Sequence, residues 1–124
     1  MLLGTQVPTA TPPRPVPYAA RILIADDDPE TRLVFRRIME ASGYFVQEAE
    51  NGRQALNALG DSSFEVMILD MCMPEMDGIE VLQAVRSRFR GLRTIVATEL
   101  VFDGVLLKAA KLLGAVAAFD KVLA

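Results

Sequence analysis

Five polar side chains capable of joint chemistry stand just beyond short apolar runs in this chain of 124 residues. Asp26 and Asp27 follow Ile22-Leu23-Ile24-Ala25, and Asp70 follows Val66-Met67-Ile68-Leu69. Thr98 follows Thr94-Ile95-Val96-Ala97, and Lys121 stands just past the run Ala115 to Phe119. Three carboxylates gathered in one crevice repel one another unless protons or a cation intervene. Hard oxygen donors suit Mg²⁺, which keeps several waters and takes one or two carboxylates plus phosphate oxygens. A carboxylate left free beside such an ion can accept a phosphoryl group as an acyl phosphate. An ammonium and a hydroxyl, here Lys121 and Thr98, offset the charge of the moving group. The chain has no His, which removes His acid–base catalysis, His metal ligation and a phosphohistidine of its own. Cys72 is the single cysteine, so neither an internal disulfide nor a structural zinc site is expected. Contiguous Asp26-Asp27-Asp28 lacks the alternate-residue ligand spacing of a calcium loop.

For these groups to meet, the runs that carry them must be neighbouring strands. Each run is continuously apolar, as in a strand covered on both faces. Between them lie helical patterns. Asp28 before Pro29 starts a helix whose apolar stripe is Val34, Phe35, Ile38 and Met39, with Gly43 as its stop. Tyr44 to Glu48 reads as a short strand, and Asn51 caps a helix through about Leu59. Ile79, Leu82, Val85 and Phe89 recur at helical spacing, as do Phe102, Val105, Leu106, Ala109, Ala110 and Leu113 before Gly114. Strand–helix alternation predicts an α/β fold, a doubly wound parallel sheet of five strands with helices on both faces. Ligands of such sheets bind beyond the carboxyl ends of the strands, where all five side chains fall.

Composition agrees with one folded domain: hydrophobic residues make up 52% and charged residues 23%, enough apolar material for a single core. The first 20 residues hold five of the seven prolines, which predicts a disordered, extended tail over 1–20 and a domain over 21–124. A formal charge of −3 offers no basic excess for nucleic acid. No apolar run reaches the ~18 residues of a membrane span. Met1-Leu2-Leu3-Gly4 lacks a secretory n-region, so a cytoplasmic location is expected.

With Asp26-Asp27, the stretch Asp70-Met71-Cys72-Met73-Pro74-Glu75-Met76-Asp77-Gly78, the strand ending in Thr98, and Phe119-Asp120-Lys121, the chain resembles a response-regulator receiver domain over about residues 20–123. The resemblance implies the flavodoxin-like strand order 2-1-3-4-5. It also implies that Asp70 is the phosphoacceptor for a histidine kinase or phosphotransfer protein, and that Asp27 ligates Mg²⁺ with Asp26 beside it. Cys72 would lend its backbone carbonyl to the metal, Thr98 would bond the phosphoryl group, and Lys121 would pair with it. Such a chain is a stand-alone signalling switch of two-component phosphorelays rather than an enzyme. An aspartyl-phosphate hydrolase would need an acid/base two residues after the nucleophile, where Cys72 stands. Asp28 reads as a helix cap, Asp77 as a turn residue with Gly78, and Met67, Met71, Met73 and Met76 as packing.

Four features depart from the family pattern. Glu99 follows Thr98 where a small residue is usual, and a carboxylate ~6 Å from the phosphoryl site implies roughly 3 kcal/mol of repulsion. Val122 replaces the proline after the lysine, and Ala118 replaces the switch aromatic. The sequence stops at Ala124, short of the family's final helix, so one sheet face is expected to be under-covered and to seek a partner. Leu107 and Leu112 add apolar surface. Self-association, another protein, or the tail at Tyr18-Ala19-Ala20 would cover it. The alternative function is a degenerate receiver serving as a phosphorylation-independent interaction or dimerisation module.

Overall fold

The computed structural model of the protein describes residues 19–99 and 105–121. The proline-rich segment before Ala19, Phe102, Val122 and the side chains of Leu106 and Leu107 lie outside the described residues. The chain runs β1 (Arg21–Ala25), α1 (Pro29–Ala41), β2 (Phe45–Ala49), α2 (Gly52–Asp61), β3 (Val66–Leu69), α3 (Gly78–Arg88), β4 (Arg93–Thr98), α4 (Val105–Leu112) and β5 (Ala117–Asp120). The five strands form one sheet of order β2-β1-β3-β4-β5 with every pairing parallel. Class, strand number and order all match the expectation.

Register decides where the polar groups arrive. Ala25 stands opposite Ala49 and Leu69, Leu69 opposite Val96, and Thr98 opposite Asp120. Because the strands end nearly in step, the residues just past them converge on one rim. Leu23, Ile24 and Ala25 of β1 are completely buried, as are Met67 and Leu69 of β3, which is why these runs lack polar alternation.

Helices α2, α3 and α4 cover one face. Their Ala55, Leu59, Val81, Leu82 and Ala110 pack with Leu23, Met67, Leu69 and Val96. The four methionines behave as packing: Met67, Met71 and Met73 are buried and Met76 leans on the same core. The opposite face, Ile22, Ile24, Ile68 and Ala97, meets Phe35 and Met39 of α1, the one helix on that side among the described residues. Here the expected stripe needs correction. Val34 is 56% exposed and Ile38 51%, and no α1 residue is fully buried. Arg32 and Arg36 lean toward edge strand β2, where both reach Glu48. At 100° per residue, that turns Val34 and Ile38 to the opposite flank, over the part of the sheet that α1 does not cover.

Local signals account for most boundaries. Asp28 is the N-cap of α1 and accepts from the amides of Glu30 and Thr31. Gly43 adopts φ 93° and Gly114 φ 107°, the left-handed conformation that ends helices cheaply only in glycine. Several edges shift by a residue or two from expectation, and backbone bonds explain two of them. Tyr44 belongs to the end of α1, its N–H donating to the Met39 carbonyl, so β2 starts one residue later. Ala115 closes α4 by donating to Ala110, so β5 begins at Ala117.

Candidate functional site

Asp26 leaves β1 buried at 2% exposure, and Asp70 leaves β3 at 5%. Their backbones are fixed by the sheet: Asp26 N–H donates to Ala49 O and Asp70 N–H to Ala25 O. Asp26 Oδ1 accepts from the Asp28 amide at 2.9 Å. One carboxylate oxygen from each of Asp26, Asp27 and Asp70 lies within 4.8 Å of the others. Donors of this kind at this spacing fit a hard divalent cation such as Mg²⁺. Asp27 is the exposed member of the trio.

Thr98, completely buried at the end of β4, donates its hydroxyl to Asp70 Oδ1 at 2.9 Å. Lys121 comes from the end of β5, where its N–H donates to the Thr98 carbonyl at 2.9 Å. Its Nζ reaches Asp26 Oδ2 at 3.0 Å and Asp70 Oδ2 at 3.6 Å. Four strand ends thus deliver Asp27, Asp70, Thr98 and Lys121 to one cleft of about 330 Å³, which Asp28, Thr31, Cys72 and Glu99 also line. Burial drives the Asp70 carboxyl above its ordinary value, and the Asp26 charge adds to this, against the opposing pull of the Cys72 amide, Thr98 and Lys121. Burial also opposes the Lys121 charge, but the hydrogen bond to Asp26 and the charges of Asp70, Asp26 and Glu99 outweigh it and raise its pKa.

The loop after β3 is held by two close fits. Gly78 N–H donates to Met71 O at 2.9 Å, and a Cβ on Gly78 would stand 2.6 Å from Met71 Cα and 3.0 Å from Asp70 O. Only glycine permits that approach. Asp77 caps α3 in a reciprocal box with Glu80, so it orders the turn before Gly78. Cys72 donates its amide to Asp70 Oδ1 at 3.1 Å, and its exposed thiol sits 4.0 Å from Thr98 Oγ1 on the cleft wall.

Two participants escaped sequence reasoning. Arg32 donates Nη1 to the Asp26 carbonyl at 2.7 Å while its Nε pairs with Glu48 at 2.9 Å, bracing the acidic corner from behind. Arg32 stands off the apolar stripe of its helix, and its Glu48 partner comes from a different element. Glu75 holds φ 69° inside the loop, a left-handed conformation that residue type does not announce.

Comparison with known proteins places this geometry. The family model of the response regulator receiver domain matches residues 22–123. The response regulator MprA of Mycolicibacterium vanbaalenii is 38% identical over 78 residues, 63% of this chain but 34% of that protein. The sensor protein EvgS of Escherichia coli is 39% identical over 79 residues, 64% of this chain and 7% of its own length. The matched part therefore spans 34% of one of these curated relatives and 7% of the other. Among solved structures, the chemotaxis protein CheY4 of Vibrio cholerae superposes with a TM-score of 0.75 at 28% identity, covering 83% of this chain and 87% of that one. The response regulator TrrA of Thermotoga maritima, solved with Mg²⁺ and BeF, gives 0.73 at 27% identity, covering 82% and 86%.

Proposed function

The chain belongs to the response regulator receiver domains, signalling domains of two-component systems, and from that premise we propose that Asp70 is its phosphoacceptor. A partner histidine kinase or phosphotransfer protein presents a phosphoimidazole. An Asp70 carboxylate oxygen attacks phosphorus; the O–P bond forms as the N–P bond breaks, and the imidazole leaves. Asp26, Asp27 and Asp70, with the Cys72 carbonyl, would hold Mg²⁺, which would supply positive charge for the phosphoryl oxygens. Lys121, already 3.6 Å from Asp70 Oδ2, holds its ammonium where that charge develops. Thr98 shifts its hydroxyl from Asp70 to the phosphoryl group. That movement biases two arrangements of the loops, which a partner reads.

The observation that carries this reading is the meeting of Asp26, Asp70, Thr98 and Lys121, from four strands, around one buried carboxylate. The exposed flank of Val34 and Ile38 favours a second role, self-association through the face beside α1, with or without phosphorylation. Incubation with Mg²⁺ and a small acyl phosphate, and separately with beryllofluoride, tests the first reading. Phosphate uptake lost in Asp70→Asn is expected. No uptake and no Mg²⁺ binding would leave the interaction module, and sedimentation as a clean monomer would remove the dimer.

A further inference from the structure

Away from the acidic rim, a second cleft of about 180 Å³ opens between the C-terminal part of α3, strand β4 and the end of α4. Leu82, Val85 and Phe89 line one side, Leu113 the other, and Thr94 of β4 also lines it. Thr94 is 2% exposed, and its hydroxyl is the one buried side-chain polar atom among the described residues without a hydrogen-bond partner. A buried hydroxyl left unpaired is costly and uncommon in a settled core. Arg86 and Arg90 also line it, with Leu92 and Gly114, and neither arginine takes part in an ion pair among the described residues. Arg88 and Arg93 stand close to them in the sequence of a chain whose formal charge is −3.

We propose that this cleft binds a small organic anion, an aromatic or short-chain carboxylate whose apolar body packs on Leu82, Val85, Phe89 and Leu113 and whose charge faces Arg86 and Arg90. Apolar walls with a few convergent polar groups are the ordinary make-up of a small-molecule site. The size agrees: a cavity of ~150 Å³ accommodates benzene, so one ring with a short acid arm fits. An acceptor oxygen of the ligand satisfies the Thr94 hydroxyl, and the guanidinium groups hold a carboxylate through charge-assisted bonds. Nothing in this proposal depends on phosphoryl transfer to Asp70, and the two stand or fall separately.

Phenylacetate is the probe, titrated into the full chain and followed by amide NMR and calorimetry, with benzylamine as the cationic control. Saturable shifts confined to α3, β4 and the end of α4 are expected with phenylacetate and none with benzylamine. Thr94→Val weakens binding about fivefold, and Arg86→Gln with Arg90→Gln weakens it about tenfold and removes its salt dependence. Thr94→Val removes an unpaired buried hydroxyl, so the ligand-free variant unfolds at higher urea than the parent; that measurement shows that it is folded. No saturable binding by the parent chain, equal binding of benzylamine, or unchanged affinity in both variants overturns the proposal.

Discussion

Replacing Asp70 with asparagine makes the ligand-free protein more stable at neutral pH, although it removes a residue at the centre of the site. The three carboxylates approach within 4.8 Å, so at an effective dielectric near 20 each like-charge pair costs ~3.5 kcal/mol. Lys121 at 3.6 Å from Asp70 offsets ~4.6 kcal/mol on the same scale. Asp70 faces the full repulsion of buried Asp26 and a solvent-weakened one from exposed Asp27, so Coulomb terms alone favour neutralisation by ~1 kcal/mol. Relief of its desolvation raises the expected gain to about 2 kcal/mol. Asparagine keeps an oxygen to accept from Thr98 and Cys72. The pH dependence has a definite sign. Asp70's pKa is raised on folding from 3.8, so its unfavourable contribution is absent below that value and grows as pH rises through the folded-state pKa. Urea unfolding of both proteins from acid to neutral pH should show the asparagine advantage widening with pH. Millimolar Mg²⁺, which stabilises the parent by binding its folded form, should narrow the gap at neutral pH. A variant less stable than the parent at neutral pH, or a gap independent of pH, refutes the reasoning.

Other expectations follow from the same contacts. Lys121→Met leaves two buried carboxylates without their cation and lowers the unfolding free energy by about 3 kcal/mol; in the Asp70→Asn background the loss is smaller, which a double-mutant cycle in urea measures. Gly78→Ala forces a Cβ against Met71 and Asp70 backbone atoms, costing about 2–3 kcal/mol and slowing phosphoryl uptake, read by denaturation and by acyl-phosphate kinetics. Glu99→Ala removes an exposed carboxylate from the cleft wall. Solvent reduces its repulsion to about 1 kcal/mol, so the uptake rate rises about fivefold.

The sheet was legible because strands buried on both faces must be continuously apolar, and Ile22–Ala25 and Val66–Leu69 leave no other reading. Strand order came with the family likeness, since hydrophobicity contains no record of which strands are neighbours. The caps were legible for a local reason: Asp28 and Asn51 bond amides two or three residues away. Features that depend on distant partners were not. Arg32 and Arg36 have the periodicity of a solvated face, yet both meet Glu48 on β2. Val34 and Ile38 have the periodicity of a core stripe, yet the sheet beside them is uncovered by α1. At the site, residue type and strand-end position marked Asp26, Asp27, Asp70, Thr98 and Lys121. Cys72 was marked for its carbonyl, and its contact with Asp70 runs through its amide.

The most direct test is to locate the phosphoryl group. After incubation with Mg²⁺ and a small acyl phosphate, the acyl phosphate is trapped and the peptides are sequenced by mass spectrometry. The account predicts a single modified residue, Asp70, with Asp26 and Asp27 untouched. Modification elsewhere, or none in a chain that binds Mg²⁺, contradicts it.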